Sequence, residues 1–200
     1  MQTLLAPTTE LEAVNRLLGS IGQGPVNTLE FSGIPDVTSA ITALRETLKD
    51  VEARGWSWNT DRNYTLRPDA QGYITIPTGA LEVDPETKTS GYVIRRNLST
   101  GKLSLYDPDE QSFTFEEPVD AYVVWAFPFE DIPQAARTYV TIAAGRRFQT
   151  ETVSSDVLER FEAEQEDRAF AQLMRIERRV RDANAFRSNR AGAAMLRRRF

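Results

Sequence analysis

The sequence predicts an α+β protein: a four-helix bundle-like body with an inserted antiparallel β lobe and an extended C-terminal tail. Three observations carry that expectation. Apolar residues recur at helical spacing in residues 9–53 and again in 133–183, with capping residues, glycines or prolines at the ends. Between them lie short extended segments broken by Pro68, Gly72, Pro77, Gly79 and Pro85. The chain closes on AGAAMLRRRF, which has no apolar period to tether it. The expected division is 1–61 and 129–183 for the helical body, 62–128 for the β lobe and 184–200 for the tail.

The first helix follows from Thr9 and Glu12, which form a capping box, and from Leu11, Val14, Leu17, Leu18 and Ile21 on one face. Asn15 shares that face and therefore needs a hydrogen-bond partner if buried. Ile21, Gly22 and Pro25 mark a fixed turn, because glycine accepts positive φ and proline cannot continue a helix. Asp36 is the expected N-cap of the second helix, in which Val37, Ala40, Ile41, Leu44, Leu48 and Val51 follow at helical spacing to Ala53. Gly55 supplies its left-handed stop. Trp56 and Trp58 then stand one residue apart, and on an extended segment they would point to opposite faces.

In the β lobe, YTL, GYITI and LEV read as short strands. Tyr92–Arg96 and Lys102–Tyr106 flank NLSTG as a hairpin, Ser112–Phe115 alternates, and Tyr122–Phe127 is a buried strand. The third helix starts near Pro133, with Ala136, Tyr139, Val140, Ala143 and Phe148 inward and Arg146 and Arg147 near its end. Ser154 or Ser155 caps a long fourth helix through about Ala183. Its acids precede its arginines, as the macrodipole prefers, and Leu158, Phe161, Phe170, Leu173, Ile176 and Val180 form its apolar stripe.

Composition narrows the chemistry. At 200 residues, 40% apolar and 26% charged, the chain can bury a sizeable core. It has no cysteine and no histidine, which removes thiolate chemistry, His/Cys zinc sites and the usual nucleophile–base pairs. No cofactor is expected: Gly22-x-Gly24 lacks the third glycine and preceding strand of a dinucleotide fingerprint, and the acidic turns 84–89 and 107–111 lack calcium-loop register. Catalytic and metal residues are expected to be none. Carboxylates for a glycan hydrolase could be drawn only from Glu116, Glu117, Glu130 and Asp131. No apolar run is long enough to span a membrane and no signal peptide is read, and the lack of cysteine fits synthesis in a reducing cytoplasm.

Charge is uneven. The net charge is −5, yet from Arg175 onward there are nine arginines against Glu177 and Asp182, or +7, which leaves −12 on the preceding 174 residues. A basic end on an acidic body seeks an acidic partner surface. Arginine forks pair carboxylates, and Phe186, Met195, Leu196 and Phe200 add apolar anchors. The candidate contact set is Arg175, Arg178, Arg179, Arg181, Phe186, Arg187, Arg190, Met195, Leu196, Arg197, Arg198, Arg199 and Phe200, with Ile21, Gly22, Pro25, Gly55 and Trp56 as structural turn residues. A nucleic-acid-binding or packaging factor using the same arginines is the competing reading.

The pattern LxAVNxLLxSIGxxPVxTLE within residues 9–30, ARGWSWN at 53–59, IPQAARTYVTIAAGRRFQ at 132–149 and the charged helix after it occur in one order. Together they resemble the head-to-tail adaptors of short-tailed bacteriophages, the tail tubular protein A family. That resemblance implies a structural virion protein forming a twelve-subunit ring between the portal protein and the tail nozzle (tail tubular protein B-like), near the tail fibres. It also implies that DNA passes through the ring without specific binding, that the β lobe faces the tail, and that the C-terminal segment docks on the portal.

Overall fold

The computed structural model describes residues 6–30, 33–85, 91–152 and 156–188, with the side chains of 151, 152, 156–162 and 183–188 left aside. The described chain is α+β and divides into two compact units, Met1–Val51 with Pro128–Phe200, and Glu52–Phe127. The first unit holds α1 (Glu10–Ser20), α2 (Pro35–Glu52, whose final residue opens the second unit), a single 3-10 turn (Phe129–Asp131), α3 (Gln134–Thr152) and α4 (Asp156–Ser188). The second holds β1 (Thr60–Leu66), β2 (Ala80–Pro85), β3 (Val93–Arg96), β4 (Leu103–Tyr106) and β5 (Val119–Trp125).

The capping box at Thr9 forms as expected, with Glu12 N–H donating to Thr9 Oγ1 at 3.2 Å and Thr9 N–H to Glu12 Oε2 at 2.9 Å. At the other end of α1, Gly22 adopts φ +80°, Gly22 N–H donates to Gly19 O and Gln23 N–H to Leu18 O. That bond pair satisfies two orphan carbonyls and is available because glycine pays no Cβ penalty there. Asn15 finds its partner in one residue: Nδ2 donates to Val26 O at 2.9 Å and Oδ1 accepts from Val26 N–H at 2.7 Å. The chain leaving the turn is thereby held against the helix it has just left.

Several boundaries differ from the sequence expectation. α2 begins at Pro35, so Asp36 lies in the first turn rather than at the cap. Proline is favoured at the first helical position, where its missing N–H would be unpaired anyway. Asp36 instead accepts from Gln23 Nε2 at 3.0 Å, tying the α1 turn to the start of α2. α3 runs on to Thr152, which places Arg146 and Arg147 inside the helix rather than at its end. They are cross-links: Arg146 reaches Glu166 on α4 at 2.8 Å, while Arg147 reaches Glu46 at 2.6 Å and Asp50 at 3.5 Å on α2. On α3 the buried row is Ala136, Val140, Ala144 and Phe148, an i, i+4 ladder, and Ala143 is only half-buried.

The second unit is organised on β5. It lies between β1 and β2, antiparallel to both, and starts at Val119, three residues earlier than its apolar run suggests. Leu66, Ile74, Val83, Leu105, Phe115, Val119, Ala121 and Val123 form its core. β3 and β4 pair as the expected hairpin, Val93 opposite Tyr106 through Arg96 opposite Leu103. GYITI does not form a strand of its own. It contributes bridges at Tyr73 and Thr75, and bonds β4 through Ile76 N–H to Leu103 O and Leu105 N–H to Ile74 O. Residues 112–115 likewise contribute bridges only, at Ser112 and Thr114.

Trp56 and Trp58 do not alternate along an extended segment, because Trp56–Asn59 closes into a turn by Asn59 N–H to Trp56 O. Asn59 causes it. Buried, it accepts from Trp56 N–H with Oδ1 at 2.8 Å, and its Nδ2 donates to Glu52 O at 2.9 Å and Trp125 O at 2.8 Å. A side-chain amide competing for local backbone groups is the usual way asparagine makes a turn.

Candidate partner-docking surface

In the first unit, the start of α1 is fixed by polar contacts that sequence reasoning missed. Arg137 donates from Nη1 to Thr8 O at 2.8 Å, from Nε to Ile132 O at 2.9 Å and from Nη2 to Glu130 O. Gln134 exchanges bonds with Thr8, and Glu130 Oε1 accepts from Glu10 N–H at 2.9 Å. Glu10 in turn pairs with Arg45 of α2 at 2.7 Å, which holds the Arg45 pKa above its ordinary value. These contacts leave α3 as the element that α1, α2 and α4 are all tied to.

α4 packs against α3 through Tyr139 and Phe170, whose ring centroids are 5.2 Å apart, and through the Arg146–Glu166 pair. In that antiparallel register the start of α3 lies opposite about residue 175 of α4. Beyond it cover continues on one side of α4, where Glu177 is 4% exposed, while the apolar residues beside it open to solvent. Ala169 and Leu173 are 7% and 2% exposed, but the next members of the row, Ile176 and Val180, are 36% and 40% exposed. The spacing is 4, 3 and 4 residues, so all four lie on one helix face. Ile176 and Val180, expected in the core stripe, are thus surface residues.

The same segment carries the arginines. Arg175, Arg178, Arg179 and Arg181 are all exposed. Arg181 Nε donates to Glu177 at 2.8 Å, and Glu177 is itself buried, so that acid is neutralised locally. An apolar strip bordered by arginines is chemically suited to an acidic, partly apolar protein surface, since arginine keeps its charge and presents a planar fork of donors. α4 extends to Ser188, past the expected end at Ala183, because nothing in 184–188 is glycine or proline. Phe186 and Arg187 therefore lie on helical backbone, though their side chains are not described. Arg190, Met195, Leu196, Arg197, Arg198, Arg199 and Phe200 fall outside the described residues.

The structural turn residues are placed in their own units. Ile21 caps α1 and is half-buried, Gly22 and Pro25 are exposed, and Trp56 is buried. Gly55 has φ +69°, and a Cβ there would stand 2.8 Å from Tyr122 Oη and 3.4 Å from Val124 Cγ2. The position demands glycine on both backbone and steric grounds.

The carboxylates considered for catalysis are not brought into a cleft among the described residues. Glu116, Glu117, Glu130 and Asp131 are exposed. No group of three or more metal-binding side chains occurs among the described residues. A cleft lined by Arg16, Ser20, Thr141, Arg146, Gln149 and Gln165 measures about 70 Å³, well below the ~300 Å³ of a small ligand pocket. Among the described residues the carboxyl pushed far up is that of Glu52, at about 7; it owes this to burial, opposed by the hydrogen bond from Phe127 N–H, and its 1% exposure closes it to substrate. Among the described residues no helix is long and apolar enough to cross a membrane.

The profile of the tail tubular protein family matches residues 11–183. The chain is 31% identical over 132 residues to tail tubular protein A of Klebsiella phage KP34, an alignment covering 66% of this chain and 66% of that relative, just under two thirds of its length. The chain thus belongs to the tail tubular protein family, as a structural component of a bacteriophage tail.

Proposed function

We propose that this protein is a head-to-tail adaptor that forms a ring between a portal and a tail nozzle and continues the DNA channel. The observation that carries the reading is the α4 strip, where Ile176 and Val180 are exposed among four exposed arginines. In the proposal this strip, extended by Phe186, Arg187 and the residues from Arg190 to Phe200, docks on an acidic portal surface. The β unit, Glu52–Phe127, faces the tail and receives the nozzle. Negative charge over the first 174 residues suits a channel that must pass DNA, because each fixed cation there would release counterions and retain phosphates.

The test is co-sedimentation of the full chain with portal assemblies from the same phage. Ile176→Asp with Val180→Asp should leave the circular dichroism unchanged and reduce docking at least tenfold. Undiminished docking of that variant refutes the assignment of α4. The competing packaging-factor reading rests on the same arginines. It predicts duplex DNA binding at physiological salt, lost when Arg175, Arg178 and Arg179 become Ser, and docking on portal unaffected.

A further inference from the structure

We infer that copies of this chain join head to tail through two sheet edges of the β unit, the acidic edge of β2 on one copy and the basic edge of β3 on the next. The inference deepens the ring reading above by naming the surfaces that would build it. β2 pairs only with β5 in the order β1-β5-β2, so its other side is open among the described residues. Among the described residues β3 pairs only with β4, whose far side is already taken by Ile74 and Ile76, so β3 is open there as well.

Open edges invite strand addition, and proteins usually guard them with charge. Both edges here are charged, but with opposite sign. On β2, Glu82 and Asp84 are exposed beside exposed Leu81. On β3, all four residues are exposed: Val93, Ile94, Arg95 and Arg96. Exposed Lys102 adds a third positive charge at the hairpin, and Leu98 at its tip is 91% exposed. Two β2 edges would repel each other, as would two β3 edges, because like charges opposite one another are unfavourable. Only the mixed pairing brings acid to base.

The arginines are also held in place. Arg95 lies over the Tyr106 ring at 4.3 Å, and Arg96 Nη1 donates to Gly101 O at 2.6 Å. Their heads are therefore positioned before any partner arrives, which lowers the ordering cost of association. An antiparallel register with Arg95 opposite Glu82 sets Ile94 opposite Val83 and Arg96 opposite Leu81. Pro85 has no N–H to donate and so limits the added ladder to residues 80–84. A contact between two different patches of one chain is heterologous, and repetition of such a contact yields a ring when the rotation closes.

The absence of cysteine makes the test direct. Asp84→Cys and Val93→Cys chains, which that register sets opposite one another, one carrying a mass tag, are mixed at high concentration with and without portal assemblies and treated with a short bis-maleimide. The expected product is the mixed 84–93 link, several-fold above either homotypic link. Glu82→Lys in the first chain, or Arg95→Glu in the second, should each reduce the link several-fold, and mixing the two reversed chains should restore it. A mixed link no more abundant than the homotypic ones, or no rescue by the double reversal, overturns the inference. Mass photometry of the same samples separates the two failures. Rings on portal without the 84–93 link leave the adaptor reading intact and sink the edge assignment; the absence of both sinks both.

Discussion

Replacing Glu52 with Gln should make the protein more stable at neutral and alkaline pH. Glu52 ends α2 as a residue only 1% exposed, with one carboxyl oxygen accepting from Phe127 N–H at 2.9 Å. Burial penalises the charged form and raises the pKa from 4.5 to about 7. The folded chain thus holds this proton more tightly than the unfolded chain does. The contribution is fully present below about pH 4.5, declines as pH rises, and is gone above about pH 7. At 1.36 kcal/mol per pH unit of separation, this is on the order of 3 kcal/mol across that window. Gln keeps an acceptor for Phe127 N–H and cannot ionise. Urea unfolding followed by tryptophan fluorescence suits the assay, because Trp56, Trp58 and Trp125 all lie in the unit that contains Glu52. The difference in stability, variant minus parent, should be near zero or slightly negative at pH 4.5 and reach roughly +1 to +3 kcal/mol at pH 8. Profiles that stay parallel across the window would show that Glu52 carries no buried charge, and the burial argument would be wrong.

Two further predictions concern the backbone and the α1 clamp. Gly22→Ala and Gly55→Ala both force a side chain to positive φ, costing about 1 kcal/mol each, but only Gly55 meets Tyr122 Oη at 2.8 Å, so its loss in urea midpoint should be the larger. Equal losses would mean that Tyr122 moves aside freely. Arg137→Ala removes donors to the carbonyls of Thr8, Ile132 and Glu130 and should cost about 2 kcal/mol, read as faster amide exchange at Glu12 and Ala13. Unchanged exchange there would place the anchoring of α1 in its apolar face alone.

The sequence by itself determined the features that depend on neighbours within a turn or two. Thr9 and Glu12 define a cap, Gly22 and Gly55 define left-handed stops, Asn15 on an apolar face demands a partner, and NLSTG makes a hairpin, since each involves groups only a few residues apart. The arginine-rich end of α4 was legible from charge alone, and the partner surface proposed for it rests on that charge. Glu52 left a trace, because it extends the buried row of Leu44 and Leu48 by one i+4 step, but a carboxyl in such a row reads as surface until its cover is known. Only the tertiary structure decided which bonds join distant segments. Arg147 on α3 meets Glu46 on α2, Asn59 bridges Glu52 and Trp125, and Ile176 and Val180 are exposed although they continue the row of the buried Leu173. Which strands lie at the edges is of the same kind: β2 and β3 read locally like any other strand, and their exposure follows from β5 and β4 taking one side of each. Periodicity fixes which face of an element is apolar, whereas how far that face is covered depends on where the next element ends.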